Sequence, residues 1–392
     1  MTILGVVWGT MALTILVAFG GSISHTVLRA EQGMGKGIVV LRNGSTSIPY
    51  EGLPAARPIR LTAADVDALE HAVPAITAIS AEYSRGAELT YAGKVHRVSL
   101  SAVEPPYDQL RNCLPQPGGR FINDLDIRQR RRVAFLGDEL KRDLFGDDRA
   151  VGRTILVRGT PFTIVGVMRT KLQWSSYQSP DKTRIFIPLS TYQAMWGRHA
   201  LNAIIYRPPG GDRGEDVRDQ VRRVLARRHR FDPKDDFALG VWDTAVGEEI
   251  TRSIHLGVRI FMGVIGVVTL IVAGVGVGNV MYAMVKNRTR EIGIKIAVGA
   301  RPSDITMYHL IEGCVIVAAG GAIGLFASCL LIVVLNRLPI EQEAFLYFGR
   351  PQMSPLSMVV VAVVLGVVAL LAGLFPARKA AAADPVEALR YE

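Results

Sequence analysis

Four runs of the chain carry no Lys, Arg, Asp or Glu: Thr2–Thr26, Ile260–Val285, Gly313–Asn336 and Leu356–Ala377. A helix needs about 20 apolar residues to cross a hydrocarbon layer of about 30 Å, and each run meets that length. Between the first two runs the pattern changes. Apolar positions there alternate with charges or recur at helical spacing, as in a water-facing domain with its own core. Residues 28–247 therefore predict one large inserted domain of mixed α and β structure.

Elements can be placed within it. Thr62 reads as a helix N-cap, with Asp65 in the capping-box position. Glu88–Glu104 predicts two strands about a turn at Tyr91-Ala92-Gly93-Lys94. Arg132–Leu136 predicts a strand, followed by an amphipathic helix, Asp138–Phe145, that Gly146 stops. Thr154–Met168 alternates in period two about Arg158-Gly159-Thr160-Pro161, the pattern of a β-hairpin. Thr183–Pro188, Asn202–Tyr206 and Asp236–Trp242 read as short strands, with a helix over Gly214–Arg228. Two lobes are expected, one about residues 61–104 with the last strands and one about 105–200.

The second apolar run extends backwards into a polar helix. From Glu248, Ile250, Ile254, Val258 and Phe261 share one helical face. A continuous helix over 248–285 would measure roughly 57 Å at about 1.5 Å per residue. That is nearly twice the hydrocarbon thickness of about 30 Å, so 248–285 predicts a stalk plus a span. Gly274, Gly276 and Gly278, beside Asn279, allow another helix to approach closely and are the candidate packing or dimer positions.

Charge then sets the orientation. Lys286, Arg288, Arg290, Lys295 and Arg301 crowd into the connection between the second and third apolar runs. Short loops this rich in Lys and Arg stay on the cytoplasmic side. Residues 286–304 are thus placed inside and the inserted domain outside. A third helix follows over 305–336, then an outer loop, 337–355, whose Glu341 and Glu343 offset Arg337 and Arg350. A fourth helix, 356–376, returns the tail 377–392 to the inside. The first run, 1–27, is read as an uncleaved span. The competing reading, a signal peptide cleaved near Ser22–Ser24, lacks the basic start such a peptide has. The fold class is an α-helical membrane protein of four transmembrane helices, with a large α+β extracytoplasmic domain inserted between the first and second.

Composition narrows the chemistry. The chain has 392 residues, 49% hydrophobic and 20% charged, with a net charge of +10. Residues 256–392 hold eleven Lys/Arg and eight Asp/Glu, which leaves +7 to residues 1–255. The Arg-rich stretches Arg128–Arg132 and Arg222–Arg230 fall in the domain placed outside, so they read as solvated faces and not as a nucleic-acid surface. Cys314 and Cys329 share one apolar run and Cys113 stands alone in the domain, so no disulfide framework follows. No GxxxxGK[ST] phosphate loop, HExxH or GxSxG occurs. No catalytic or metal-binding residue is assigned, and no cofactor is expected in this chain. Glu312, near the inner end of the third helix, is an ionisable group where charges are paired or functional. His309 and Arg301 are its candidate partners.

Several of these stretches resemble one family. Gly274-Val275-Gly276-Val277-Gly278-Asn279-Val280-Met281 is similar to its GxGxxNxM pattern, and Arg288–Ala300 to its RTREIGIRxAxGA loop. Pro376–Glu392 resembles its terminal PAxxAAxxxPxEALRxE, and Leu144–Val167 resembles the outer domain of the macrolide-exporter type. The chain thus looks like a permease of the macrolide-exporter and FtsX type, a branch of the ABC systems that includes lipoprotein-release permeases. Lys295 departs from the loop pattern, keeping the charge of Arg but not its planar fork. The resemblance implies that Arg288, Arg290, Glu291, Ile292, Gly293 and Lys295 form the element that couples to the ATPase. Residues 287–300 are expected as a short amphipathic helix against the bilayer, anchored by Ile292, Ile296 and Val298. The implied partners are a cytoplasmic ABC ATPase that binds ATP and Mg, a second copy or a related permease, and a periplasmic adaptor. The implied place is the inner membrane of a bacterium. The implied activity is export or release of a drug, peptide, lipid or lipoprotein; the other reading is an FtsX-like scaffold that activates a cell-wall hydrolase.

Overall fold

The structure is a computed structural model describing residues 2–173, 176–210, 212–338, 350–351, 353 and 355–381. Its nine strands among those residues are β1 Val39–Asn43, β2 Ala78–Tyr91, β3 Lys94–Val103, β4 Val133–Leu136, β5 Thr154–Val157, β6 Thr160–Val167, β7 Arg184–Pro188, β8 Ala203–Arg207 and β9 Leu239–Asp243. The helices of the inserted domain are α2 Ala63–Ala72, α3 Tyr107–Leu110, α4 Asp124–Arg128, α5 Asp138–Phe145, α6 Leu189–Trp196 and α7 Asp212–His229. The long helices are α1 Thr2–Met34, α8 Thr244–Asn287, α10 Pro302–Arg337 and α11 Pro355–Ala381, with the short α9 Thr289–Ala297 between α8 and α10. Leu28–Thr251 forms one compact unit, and Met1–Val27 with Arg252–Glu392 another.

Local chemistry explains most element ends. Thr62 and Asp65 form the reciprocal capping box of α2, with Asp65 Oδ2 accepting from the Thr62 amide at 2.8 Å. Ala92 and Gly93 take positive φ of 47° and 78°, as a two-residue hairpin between β2 and β3 requires. Arg158 and Gly159 do the same between β5 and β6, so the turn is shorter than the four residues the pattern suggested.

The lobe boundary differs from the expected one. It runs through β2, a strand of 14 residues that begins ten residues earlier than the pattern indicated. Ala78–Glu82 pairs with β8, continuing through β1 to the edge strand β9. Glu82–Tyr91 pairs with β3, and Leu89–Thr90 also with β5. The strands β2, β3, β7, β4, β6 and β5 thereby close on themselves, because β3 pairs with both β2 and β7. The strand β3 consequently belongs to the second lobe and not to the first. A closed ring leaves no exposed strand edge, and its interior is filled by Leu89, Leu100, Val157, Phe162, Ile164 and Ile185.

Where α1 enters this domain its backbone is held tightly. A Cβ on Gly33 would stand 1.6 Å from the Leu172 carbonyl oxygen. Gly35, at φ 100°, is 1.9 Å by the same measure from the Leu110 carbonyl oxygen, so neither position has room for a side chain. Arg111 Nη1 donates to the Met34 carbonyl at 3.0 Å. The Arg111 side chain is fully buried and pairs with Asp181 at 3.0 Å; Lys171 reaches the same carboxylate at 2.7 Å. Arg184, also buried, pairs with Glu82 at 3.1 Å, and Tyr177 donates to Glu82. Burial pushes the Asp181 carboxyl up, but Arg111, Lys171 and Arg184 outweigh burial and hold it well below the usual carboxylate range. The thiol of Cys113, buried beside this cluster, is pushed up to about 11 by burial.

A buried charge left without its partner costs about 3–5 kcal/mol. Asp181→Asn is therefore expected to destabilise the inserted domain by about that amount, measured by pulse proteolysis of the full chain across a urea series. The folded pKa is depressed, so this stabilisation is complete above the unfolded value of about 3.9 and is lost as pH falls toward the folded value. Between about pH 4 and pH 2 the wild type should lose more stability than Asp181→Asn. Equal slopes in the two proteins would overturn the assignment.

Candidate functional site

The basic connection folds into a defined helix. Helix α8 ends at Asn287, and α9 begins two residues later at Thr289. Its end is a Schellman motif: the Ala300 amide donates to the Lys295 carbonyl at 2.9 Å and the Gly299 amide to Ile296 at 3.0 Å. Gly299 supplies the required positive φ, 102°. Pro302 then starts α10, where its missing amide leaves no bond unmade.

Two faces of α9 do different things. Arg288, Ile292 and Lys295, at helical spacing, turn toward α10. Arg288 Nη1 lies 3.5 Å from Glu312 Oε1, and Lys295 Nζ sits 5.0 Å from the centre of the Tyr308 ring. Ile292, 4% exposed, packs against Ile305, with Val285, Ile296 and Ala300 around them. On the other side Arg290, Glu291, Ile294 and Val298 are exposed, Val298 by 85%. Gly293 is part of the same helix.

This arrangement corrects two expectations. Ile292 and Ile296 are apolar anchors, but they seat α9 on the ends of α8 and α10. Val298, 85% exposed, lies outside that contact. Glu312 pairs with His309 Nδ1, at 3.4 Å, as expected, but its second partner is Arg288 instead of Arg301. Sequence reasoning passed over Tyr308 and Ile305, although both lie within the first turns of α10 on the face carrying Glu312.

Magnitudes decide what holds α9. The Arg288–Glu312 pair is part-exposed, with the Arg288 side chain 44% accessible, and such pairs are worth about 0–1 kcal/mol. Burying one isoleucine contributes about 1.5–3 kcal/mol. The Ile292–Ile305 contact dominates, and the polar contacts set its register.

The glycines divide. Gly274 is buried, Gly278 half-buried, and Gly276 and Asn279 are exposed. A Cβ on Gly276 would meet nothing within 4 Å. Close helix contacts are made by Gly266 of α8 and by glycines of α10: a Cβ on Gly266 would stand 2.6 Å from Leu13 Cδ1, one on Gly324 2.7 Å from Thr10 Cβ, and one on Gly320 3.0 Å from Val6 Cβ. Gly320 and Gly324, four residues apart on α10, thus form the seat for α1, and their spacing was the available signal. Val6, Val277, Met281 and Val317 join α1, α8 and α10 in one buried cluster.

Among the described residues, three helical segments are long and apolar enough to cross a membrane, Ile3–Ser22, Leu256–Asn287 and Ser303–Arg337. In α11 the continuous described apolar stretch is Met358–Val368. Glu341 and Glu343 of the expected outer loop, and Arg390 of the tail, lie outside the described residues. Among the described residues no group of His, Cys, Asp and Glu could hold a metal ion.

Comparisons with known proteins align with these parts. The MacB-like periplasmic core domain model matches residues 1–224, and the FtsX-like permease C-terminal model matches residues 263–385. A macrolide export ATP-binding/permease protein MacB from Wolinella succinogenes is 30% identical over 396 residues, covering 100% of this chain and 58% of the relative. The protein of the same name from Bdellovibrio bacteriovorus is 26% identical over 400 residues, covering 100% of this chain and 59% of its own length. The chain thus spans under two thirds of the length of these relatives. The solved periplasmic region of MacB from Actinobacillus actinomycetemcomitans has 16% identity and a TM-score of 0.46, covering 58% of this chain and 97% of that one. The two matched domains follow one another in the order in which the inserted domain and the last long helices occur, and the chain belongs to the MacB-like, FtsX-like family of ABC transporter permeases.

Proposed function

We propose that this chain is the permease subunit through which a separate cytoplasmic ATPase drives the outer domain to export or release a substrate. The observation that carries this reading is α8, an unbroken helix of 44 residues from Thr244 to Asn287. At about 1.5 Å per residue it measures roughly 66 Å, more than twice the hydrocarbon thickness. One end is hydrogen-bonded into the outer domain and the other leads into α9. A continuous helix joins the two ends through its own backbone, without needing a side-chain relay.

In this reading α9 is the contact for the ATPase. Arg290, Glu291, Ile294 and Val298 form a small exposed face of mixed polarity, and Arg288, Ile292 and Lys295 hold it to α10. ATP and Mg belong to the partner. Positive charge places α9 in the cytoplasm and the inserted domain outside, with α1, α8, α10 and α11 as four spans in the inner membrane. The open face at Gly276 and Asn279 is where a second copy or a related permease packs, and a periplasmic adaptor receives the substrate. The substrate classes remain those of the family: drug, peptide, lipid or lipoprotein.

Three outcomes are expected. Replacing Arg290 and Glu291 together by Ala should leave insertion intact but reduce stimulation of a co-purified ATPase by about tenfold, the loss of roughly 1.4 kcal/mol of coupling. Unchanged stimulation would remove α9 from the pathway. Ile292→Ala should raise amide hydrogen exchange across Thr289–Ala297 far more than Glu312→Gln, because the buried contact outweighs the part-exposed pair. The reverse order would invert the assignment. Finally, Gly293→Cys in intact cells should react with an impermeant maleimide only after permeabilisation; labelling from outside would reverse the topology.

A further inference from the structure

Helix α7 and the edge strand β9 do not close on each other. Between them lies an open cavity of about 520 Å³. Pockets for small molecules run from about 300 to 1,000 Å³. Its floor is apolar: Leu41, Val221, Leu239 and Val241, with the ring of Tyr206. Val241 is 46% exposed, an apolar strand position that α7 leaves uncovered.

The rim is charged, and the charges do not balance. Glu215 and Asp219 come from α7, Asp236 and Asp243 from the strand side, against only Arg218 and Arg222. Both arginines are already engaged. Arg218 pairs with Asp243, and Arg222 Nη1 pairs with Asp236 at 2.8 Å while donating to the Pro233 carbonyl at 3.1 Å. Glu215 lies 3.9 Å from Arg218, the far limit of an ion pair, and Asp219 forms no ion pair among the described residues. The groove therefore combines an apolar floor with two carboxylates in excess.

One rim residue also belongs to the root of the stalk. Asp243 is the last residue of β9, and its Oδ1 accepts from the Ala245 amide at 2.8 Å, which caps the first turn of α8. Arg218 thus ties α7 to the cap of the long helix.

We propose that this groove binds a lipophilic cation, an apolar molecule carrying one positive group, and that its occupation is felt at Asp243 and the first turn of α8. The apolar body lies over Leu239 and Val241. The positive group lies at Glu215 and Asp219, the carboxylates that the arginines leave uncompensated. An anion of the same shape is excluded by the net charge of the rim. The use of this site in a transport cycle rests on the function proposed above, whereas its occupation does not and is tested by binding alone.

The test uses the full chain in lipid nanodiscs with tetraphenylphosphonium as probe and tetraphenylborate, its near-isosteric anion, as control. Equilibrium dialysis should show saturable binding of the cation only, above a background that is equal for all variants. The double variant Glu215→Lys, Asp219→Lys, at two exposed helical positions, should raise the Kd by about tenfold or more through charge reversal. Val241→Trp, which fills the groove without changing charge, should abolish saturable binding. In the wild type, the cation should slow amide exchange at Ala245–Gly247. Equal binding of both ions, or a Kd within about twofold in both variants, would overturn the site. Saturable binding with unchanged exchange at Ala245–Gly247 would overturn the link to α8. None of these readouts involves an ATPase, so a failure of the coupling reading would leave the binding result standing.

Discussion

The Thr244 amide donates to the Ile38 carbonyl at 3.0 Å, and the Ile38 amide donates to Thr244 Oγ1 at 2.9 Å. Those bonds close a domain of more than 200 residues at its neck. A domain inserted between two long helices must bring its ends together, and the antiparallel pair β1–β9 does so, with Val39 opposite Asp243. Helix α1 leads into β1 and α8 follows β9 without a linker. Any relative shift of the two helix ends therefore acts on one strand pair, and through it on β8 and β2.

The buried charges serve the same neck. Asp181 gathers Arg111 and Lys171, and Arg111 in turn holds the last carbonyl of α1. Ion pairs at zero exposure are poor sources of net stability, because desolvation offsets most of the attraction. Their value here is directional. Guanidinium and carboxylate groups bond at fixed angles, whereas apolar side chains would hold the end of α1 without specifying its position. Close approach of Gly33 and Gly35 to Leu172 and Leu110 completes that restraint. At the other end of α8 the order of forces is inverted: a buried isoleucine contact carries most of the energy and part-exposed charges orient it.

Much of the architecture was legible from pattern. Gly93, Gly146 and Gly159 marked turns because glycine adopts positive φ without strain. The helix Asp138–Phe145 and the capping box at Thr62 were predicted to the residue, since both depend on neighbours within four positions. The strand β1 and the first half of β2 were missed. Ile38–Leu41 and Ala78–Tyr83 are short runs buried on both faces, and periodicity cannot distinguish such strands from other apolar segments. The lobe boundary was misplaced for a related reason, because a strand shared by two sheets carries one continuous pattern. Of the candidate site, the basic loop and Glu312 stood out in the sequence, with the charged side chains expected on one face; that Arg288 and Lys295 would meet α10 was not foreseen.

What the sequence alone determined is whatever local free energy decides: which runs are apolar enough for lipid, where helices are capped, which turns need glycine, and which loop is basic. The family also followed from sequence, since its motifs are contiguous. Only the tertiary structure decided that β9 lies beside β1, that Arg288 and not Arg301 meets Glu312, and that Arg111 reaches across to Met34 and Asp181. It also left β9 partly uncovered by α7. These contacts join residues 24 to 204 positions apart, and no short-range preference encodes which of many chemically equivalent partners will meet. Chain closure and packing make that choice.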